Sequence, residues 1–192
     1  MSKKLSKEAR RDQLLDVALR LVETEGTGGL TLARVADLAG VTKPIAYEHF
    51  ETREGLLLAL FRRFDKKTEE AVMNALSVGS DSAGDALDII ARTYVGCFVS
   101  AGRAFGAILN ALAASPVTQA IRLDWRDELA VATSAIFGKR GGSANIDPQS
   151  ALIGLFGAAE ALSEHAAAGR LTEEKAAAML SHLLQTVLIG KQ

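Results

Sequence analysis

The chain has 192 residues, of which 48% are hydrophobic and 23% charged, a balance that supports one or two globular domains and excludes a disordered or fibrous chain. Its net charge of -1 hides an asymmetry: the stretch up to Lys67 holds 13 Lys and Arg against 10 Asp and Glu, whereas Thr68 to Gln192 holds 9 against 13, so only the first part suits a polyanionic partner. One cysteine, Cys97, excludes an intrachain disulfide, and His49, His165 and His182 lie too far apart in sequence to suggest a metal site.

The amino terminus leads with Lys3, Lys4, Lys7, Arg10 and Arg11, a basic arm rather than the apolar run of a signal peptide. Apolar residues at Leu14, Leu15, Val17, Ala18, Leu21 and Val22 recur at helical spacing, and Gly26 closes a first helix from about Lys7 to Glu25. Thr31 is a good N-cap for a short second helix that carries Leu32, Val35, Ala36 and Ala39 and stops at Gly40. A third short helix starts at Thr42, tolerates Pro44 in its first turn and runs to about Phe50. Thr52, Arg53 and Glu54 open a long amphipathic fourth helix towards Leu76.

After a Gly, Ser and Asp-rich break at Ser77 to Asp85 the pattern stays helical, with helices expected near Ala83 to Ser100, Arg103 to Ala114, Val117 to Phe137, Pro148 to Ala168 and Thr172 to Ile189. Asp147-Pro148 and Thr172-Glu173-Glu174 are helix starts, and Gly138 to Ile146 reads as the most flexible loop. No run alternates with period two for long enough to make a strand, and no internal repeat appears. The expected fold is all-α: a three-helix helix-turn-helix domain over residues 1–51, then a helical domain over 52–192. No window of 18 apolar residues is free of a charge or a breaking cluster, so no membrane span is expected and the cytoplasm is the expected location.

Thr31 to Phe50 has what a helix-turn-helix requires, in order. Ala36 is small where two helices cross, Gly40 accepts the backbone of the tight turn, Val41 fills the space beneath it, and Ala46 faces the second helix. One face of the third helix is thereby left for a DNA major groove. On it lie Thr42, Lys43, Pro44, Ile45, Tyr47 and His49. Lys43 can donate to guanine or phosphate, Ile45 can meet a thymine methyl, and Tyr47 and His49 suit phosphate. Thr31 and Arg34 are placed for backbone contacts. Glu48 reads as a solvated residue with no catalytic role.

On these residues the sequence resembles the TetR/AcrR family of bacterial regulators. The resemblance rests on the Gly26 loop followed by Leu30-Thr31, the run Val35 to Val41, and Ala46-Tyr47-Glu48-His49-Phe50 followed by Arg53-Glu54-Gly55-Leu56-Leu57, and it covers about the first 65 residues. Ala46 departs from the larger aliphatic usual in that family, and Arg53 stands for the usual lysine, where the resemblance implies a phosphate contact. The resemblance further implies a ligand-responsive repressor acting on double-stranded operator DNA, a small-molecule effector of unidentified chemistry, and a homodimer formed through the last two helices. A dimer would set its reading heads roughly 34–36 Å or a multiple apart on a palindromic operator.

The apolar faces of those helices nominate Leu152, Leu155, Phe156, Ala159, Leu180, Leu183, Leu184 and Val187 for the dimer interface. Candidates for an effector pocket are Tyr94, Phe98, Phe105, Leu109, Trp125 and Leu129, with Cys97 an inert thiol among apolar neighbours. Trp125 is notable for its polar neighbours Arg122, Asp124 and Arg126. No nucleophile elbow, phosphate loop or metal triad speaks for an enzyme, and neither a cofactor nor a metal is expected. The competing reading is a helical adaptor that docks proteins through its apolar terminal helices.

Overall fold

A computed structural model describes residues 5–79, 82–137 and 147–189. Among the described residues all regular structure is helical: α1 (Lys7–Glu25), a 3-10 turn (Thr27–Gly29), α2 (Leu32–Ala39), α3 (Lys43–Phe50), α4 (Arg53–Ser77), α5 (Ala83–Ala113), α6 (Pro116–Phe137), α7 (Pro148–Ala167) and α8 (Glu173–Leu188). Lys3 and Lys4 of the basic arm and the Gly138 to Ile146 loop lie outside the described residues.

Polar caps start four of these helices, at Thr31, Asp147 and Thr172 where the sequence places them and at Ser6 besides. Ser6, Thr31, Asp147 and Thr172 each accept a hydrogen bond from the backbone N–H three residues on, worth about 1 kcal/mol per helix. The Asp147 carboxyl also accepts from the Ser150 hydroxyl, and these bonds from Ser150 hold it below the usual carboxylate range.

The two helices expected to meet between Ser100 and Arg103 stand as the two arms of α5, which kinks at Gly102, where φ is 62° and ψ -160°. Residues with a Cβ rarely adopt that backbone. The chain can therefore break direction there.

The chain forms two compact units that do not divide at a single cut after Glu51. The first comprises the residues to Asp65 together with Ala104–Gln119. Its core joins the α1 stripe Leu14, Leu15, Ala18 and Leu21 to Val35 and Ala36 of α2, Leu56, Leu57 and Leu60 of α4, and Ile108 and Leu112 of α5, all buried. The first three turns of α4 belong here because their apolar residues are buried with this core. The second unit comprises Lys66–Arg103 and the residues from Ala120 onward. Its core is rich in alanine: Ala91 and Val95 of α5 cluster with Ala159 and Ala166 of α7 and Ala176, Ala177 and Leu180 of α8.

By length and composition alone α5 is long and apolar enough to cross a bilayer. Its Leu87, Ala91, Val95, Phe98, Phe105, Ile108 and Leu112 are buried within the protein, which accounts for the apolar character as core packing.

Candidate nucleic-acid interface

The second and third helices are held in a tight pair. Gly40 takes the left-handed conformation, φ 67° and ψ 34°, its N–H donates to Asp37 O at 3.2 Å, and the Val41 N–H donates to Ala36 O at 3.0 Å. Two of the orphan carbonyls of α2 are thereby satisfied within a connection of three residues, Gly40 to Thr42. Ala36 and Ala46 are wholly buried in the pair. With Ala46 and Phe50 inward, α3 turns its other face to solvent.

Side chains distant in sequence fasten this pair. Arg11 of α1 donates to His49 O at 2.9 Å and lies 4.8 Å from the centre of the Phe50 ring, so a cation sits at the carboxyl end of α3 where the helix dipole favours it. Gln13 of α1 donates to Ala39 O at 3.2 Å and does the same office for α2 without a charge. Arg63 of α4 pairs with Asp16 of α1. Between α3 and α4, Glu51 has φ 60° and ψ -55°, and the Thr52 N–H donates to Phe50 O at 2.6 Å. This γ-turn is an uncommon and strained link for a residue with a side chain.

Thr42, Lys43, Pro44 and Tyr47 are exposed, and Ile45 and His49 are half-buried. Lys43 and Tyr47, four apart, share one face of α3, and Tyr47 leaves 50% of its surface to solvent. Thr31 and Arg34 are exposed beside the pair, Arg34 donating to Glu25 at 2.5 Å. Glu48 is not merely solvated but lies 3.2 Å from Lys7. Arg53 differs most from its expected role at a phosphate. Its Nε donates to Leu30 O at 3.0 Å and its Nη2 to Thr27 O at 2.7 Å. The guanidinium thus braces the loop before α2, a two-carbonyl grip that lysine could not reproduce.

The His49 ring is held below its ordinary pKa, first by burial and then by Lys7, Arg11 and Arg10, with Glu48 opposing. It is therefore mostly neutral at pH 7. A phosphate at this ring would reverse the bias, since an anion favours the charged imidazole. Binding would then take up a proton, and affinity for DNA is expected to rise as pH falls from 7.5 towards 6. Fluorescence anisotropy at fixed salt measures this; an identical pH dependence in His49→Gln would remove His49 from the contact.

The other candidate sites are redistributed. Of the effector candidates, Phe105 and Leu109 are buried in the first unit, while Tyr94, Phe98 and Trp125 belong to the second, so the six do not gather in one compact unit. Phe98 is fully buried and Tyr94 packs on the alanine-rich cluster. Nothing is described of the Leu129 side chain. Burial pushes the Cys97 thiol up, with Thr68 beside it. Of the dimer candidates, Leu152, Leu155, Ala159 and Leu180 are buried inside the single chain. Leu152 and Leu155 pack with Phe156, Leu183, Leu184 and Val187, which are half-buried. These contacts lie where α7 and α8 pack on one another within the protomer, and they leave part of Phe156, Leu183, Leu184 and Val187 exposed. The exposed large apolar residues described on the two helices are Ile153 and Met179.

Residues 14–60 match the family model described as bacterial regulatory proteins, tetR family. Among curated proteins the chain is similar to the HTH-type transcriptional activator FasR of Mycolicibacterium smegmatis, 33% identical over 79 residues that cover 41% of this chain and 36% of that protein. The alignment thus spans about a third of the relative's length. Among solved structures it is similar to a putative TetR-family transcriptional regulator from Rhodococcus sp., with TM-score 0.74 and 24% identity over 96% of this chain and all of that one. It is also similar to the multidrug binding protein EbrR complexed with imidazole, with TM-score 0.68 and 20% identity over 94% of this chain and 97% of that one. At these identities the structural likeness concerns the fold, and it extends well beyond the segment that the family model matches.

Proposed function

We propose that this protein, whose residues 14–60 match the tetR family of bacterial regulatory proteins, is a sequence-specific DNA-binding transcriptional regulator acting in the cytoplasm. The observation that carries this reading is the outward face of α3. Lys43, Pro44 and Tyr47 are exposed on a helix whose other face is buried and whose carboxyl end is clamped by Arg11. A helix held this firmly yet left bare offers base-edge and phosphate contacts at its first turns. The role is non-enzymatic regulation, with repression the direction we favour. Footprinting on the DNA flanking its own gene tests it: a protected, salt-sensitive, palindromic site is expected, and absence of any sequence-specific protection would overturn the reading.

The regulator works as a homodimer in this proposal, with α7 and α8 meeting a second copy through the exposed Ile153 and Met179. Light scattering on Ile153→Glu/Met179→Glu is expected to give a monomer where the parent chain is a dimer, because a charge facing its own symmetry mate is buried unpaired. A parent chain that is monomeric at micromolar concentration would refute the dimer. The helical second unit binds a small molecule, and that binding lowers operator affinity through a coupling free energy.

A further inference from the structure

Within the second unit, α6 and α7 enclose an ionic cluster whose charges do not balance. Arg122 and Arg126, four residues apart on α6, both reach Oε2 of Glu160 on α7, Arg122 through Nη1 at 3.4 Å and Arg126 through Nη2. The side chains keep only 15%, 13% and 21% of their surface exposed, for Arg122, Arg126 and Glu160 respectively. Two guanidiniums against one carboxylate leave about one positive charge uncompensated. A lysine could shed it by losing a proton, but arginine stays charged. The other acids near in sequence, Asp124, Asp127, Glu128 and Glu164, are exposed, and among the described residues Glu160 is the only acid paired with either arginine.

The donors are incomplete as well. Arg122 Nε and Arg126 Nε are buried with no hydrogen-bond partner. Arg122 meets Glu160 through Nη1, so the Nε side of its guanidinium, the edge onto which a planar carboxylate fits with two parallel bonds, is not the edge that Glu160 occupies. An unsatisfied charge and unsatisfied donors at one place are costly unless a partner completes them.

We propose that Arg122 and Arg126 form a binding site for the carboxylate group of a small organic acid, and that this acid is the effector. The inference rests on the ligand-responsive reading above and gives it a substrate class. A monoanion brings the cluster to neutrality, and its two coplanar oxygens match the free arginine edge. A phosphate monoester would overshoot the charge, and a metal cation would be repelled. Glu160 holds the two guanidiniums in position and competes with the incoming carboxylate.

Calorimetric titration of the full chain with octanoate and with benzoate, in low-salt buffer at pH 7.5, tests the site, with inorganic phosphate titrated separately. One acid is expected to bind at one per protomer. Arg122→Lys, which keeps the charge and loses the planar fork, should weaken it about tenfold. Glu160→Gln should tighten it, a gain that misfolding could not produce. Failure of both acids to bind, equal binding to Arg122→Lys, no tightening in Glu160→Gln, or phosphate binding as tightly as either acid would each overturn the proposal. The regulator reading is judged apart, by anisotropy on operator DNA with and without the acid. Arginine-dependent binding that leaves operator affinity unchanged would uphold the carboxylate site and refute it as the effector site.

Discussion

Replacing Lys43 and Tyr47 together by alanine is expected to lower operator affinity about a hundredfold or more, because each contact of this kind to a base or phosphate is worth roughly 1–3 kcal/mol. Both side chains are exposed on α3, and substitutions at such positions usually move stability by less than about 0.5 kcal/mol. The thermal unfolding midpoint should therefore stay nearly where it was. The slope of log affinity against log salt should fall by about one for the lost lysine charge. Anisotropy titrations at several salt concentrations, beside calorimetric unfolding of the same variant, separate the outcomes. Unchanged affinity would mean that α3 does not face DNA, and a concerted loss of folding would mean that the two residues serve the core.

Phe105→Ala is expected to cost about 3–5 kcal/mol, in the range for emptying a large aromatic from a packed interior. Phe105 is buried and stacks on Phe64 with ring centres 3.5 Å apart and on Phe61 at 6.2 Å. With Ile108 and Leu112 it ties the second half of α5 into the unit that carries the helix-turn-helix. Urea unfolding would measure the loss, and hydrogen exchange should show Ala104–Ala113 opening more easily than α1 to α3. A cost below about 1 kcal/mol would contradict the core assignment and return Phe105 to the lining of a pocket, where a large side chain can be removed at little expense.

The elements themselves were legible because their signals are local. Helical spacing of Leu14 to Val22, a threonine before Leu32, a glycine after Ala39 and Asp147 before Pro148 each act within one or two turns of chain, and each stands in the structure where the pattern puts it. The outward residues of α3 were legible for the same reason. Once Ala46 and Phe50 face inward, a period of 3.6 turns Lys43 and Tyr47 out.

Periodicity says that a residue is buried but not against what. For that reason the spacing marks Phe105, Leu109, Leu152, Leu155, Ala159 and Leu180 as buried, while the structure alone places the first two in the first unit and the other four in the second. Long polar side chains escaped for a related reason, since their partners are far away in sequence. Arg11 meets His49 O across 38 residues, Arg53 meets Leu30 O across 23, and Arg122 shares Glu160 across 38. An arginine's reach covers several possible acceptors, and only the packed fold selects one.

Short-range backbone preference and hydrophobic spacing thus determined by sequence alone that this is a helical protein with a helix-turn-helix near its start, because those forces act between neighbours. The destination of each buried face, the bracing role of Arg53 and the unbalanced arginine pair around Glu160 were decided only by tertiary structure. Burial and charge compensation depend on which distant segments come together, and that is a property of the whole fold.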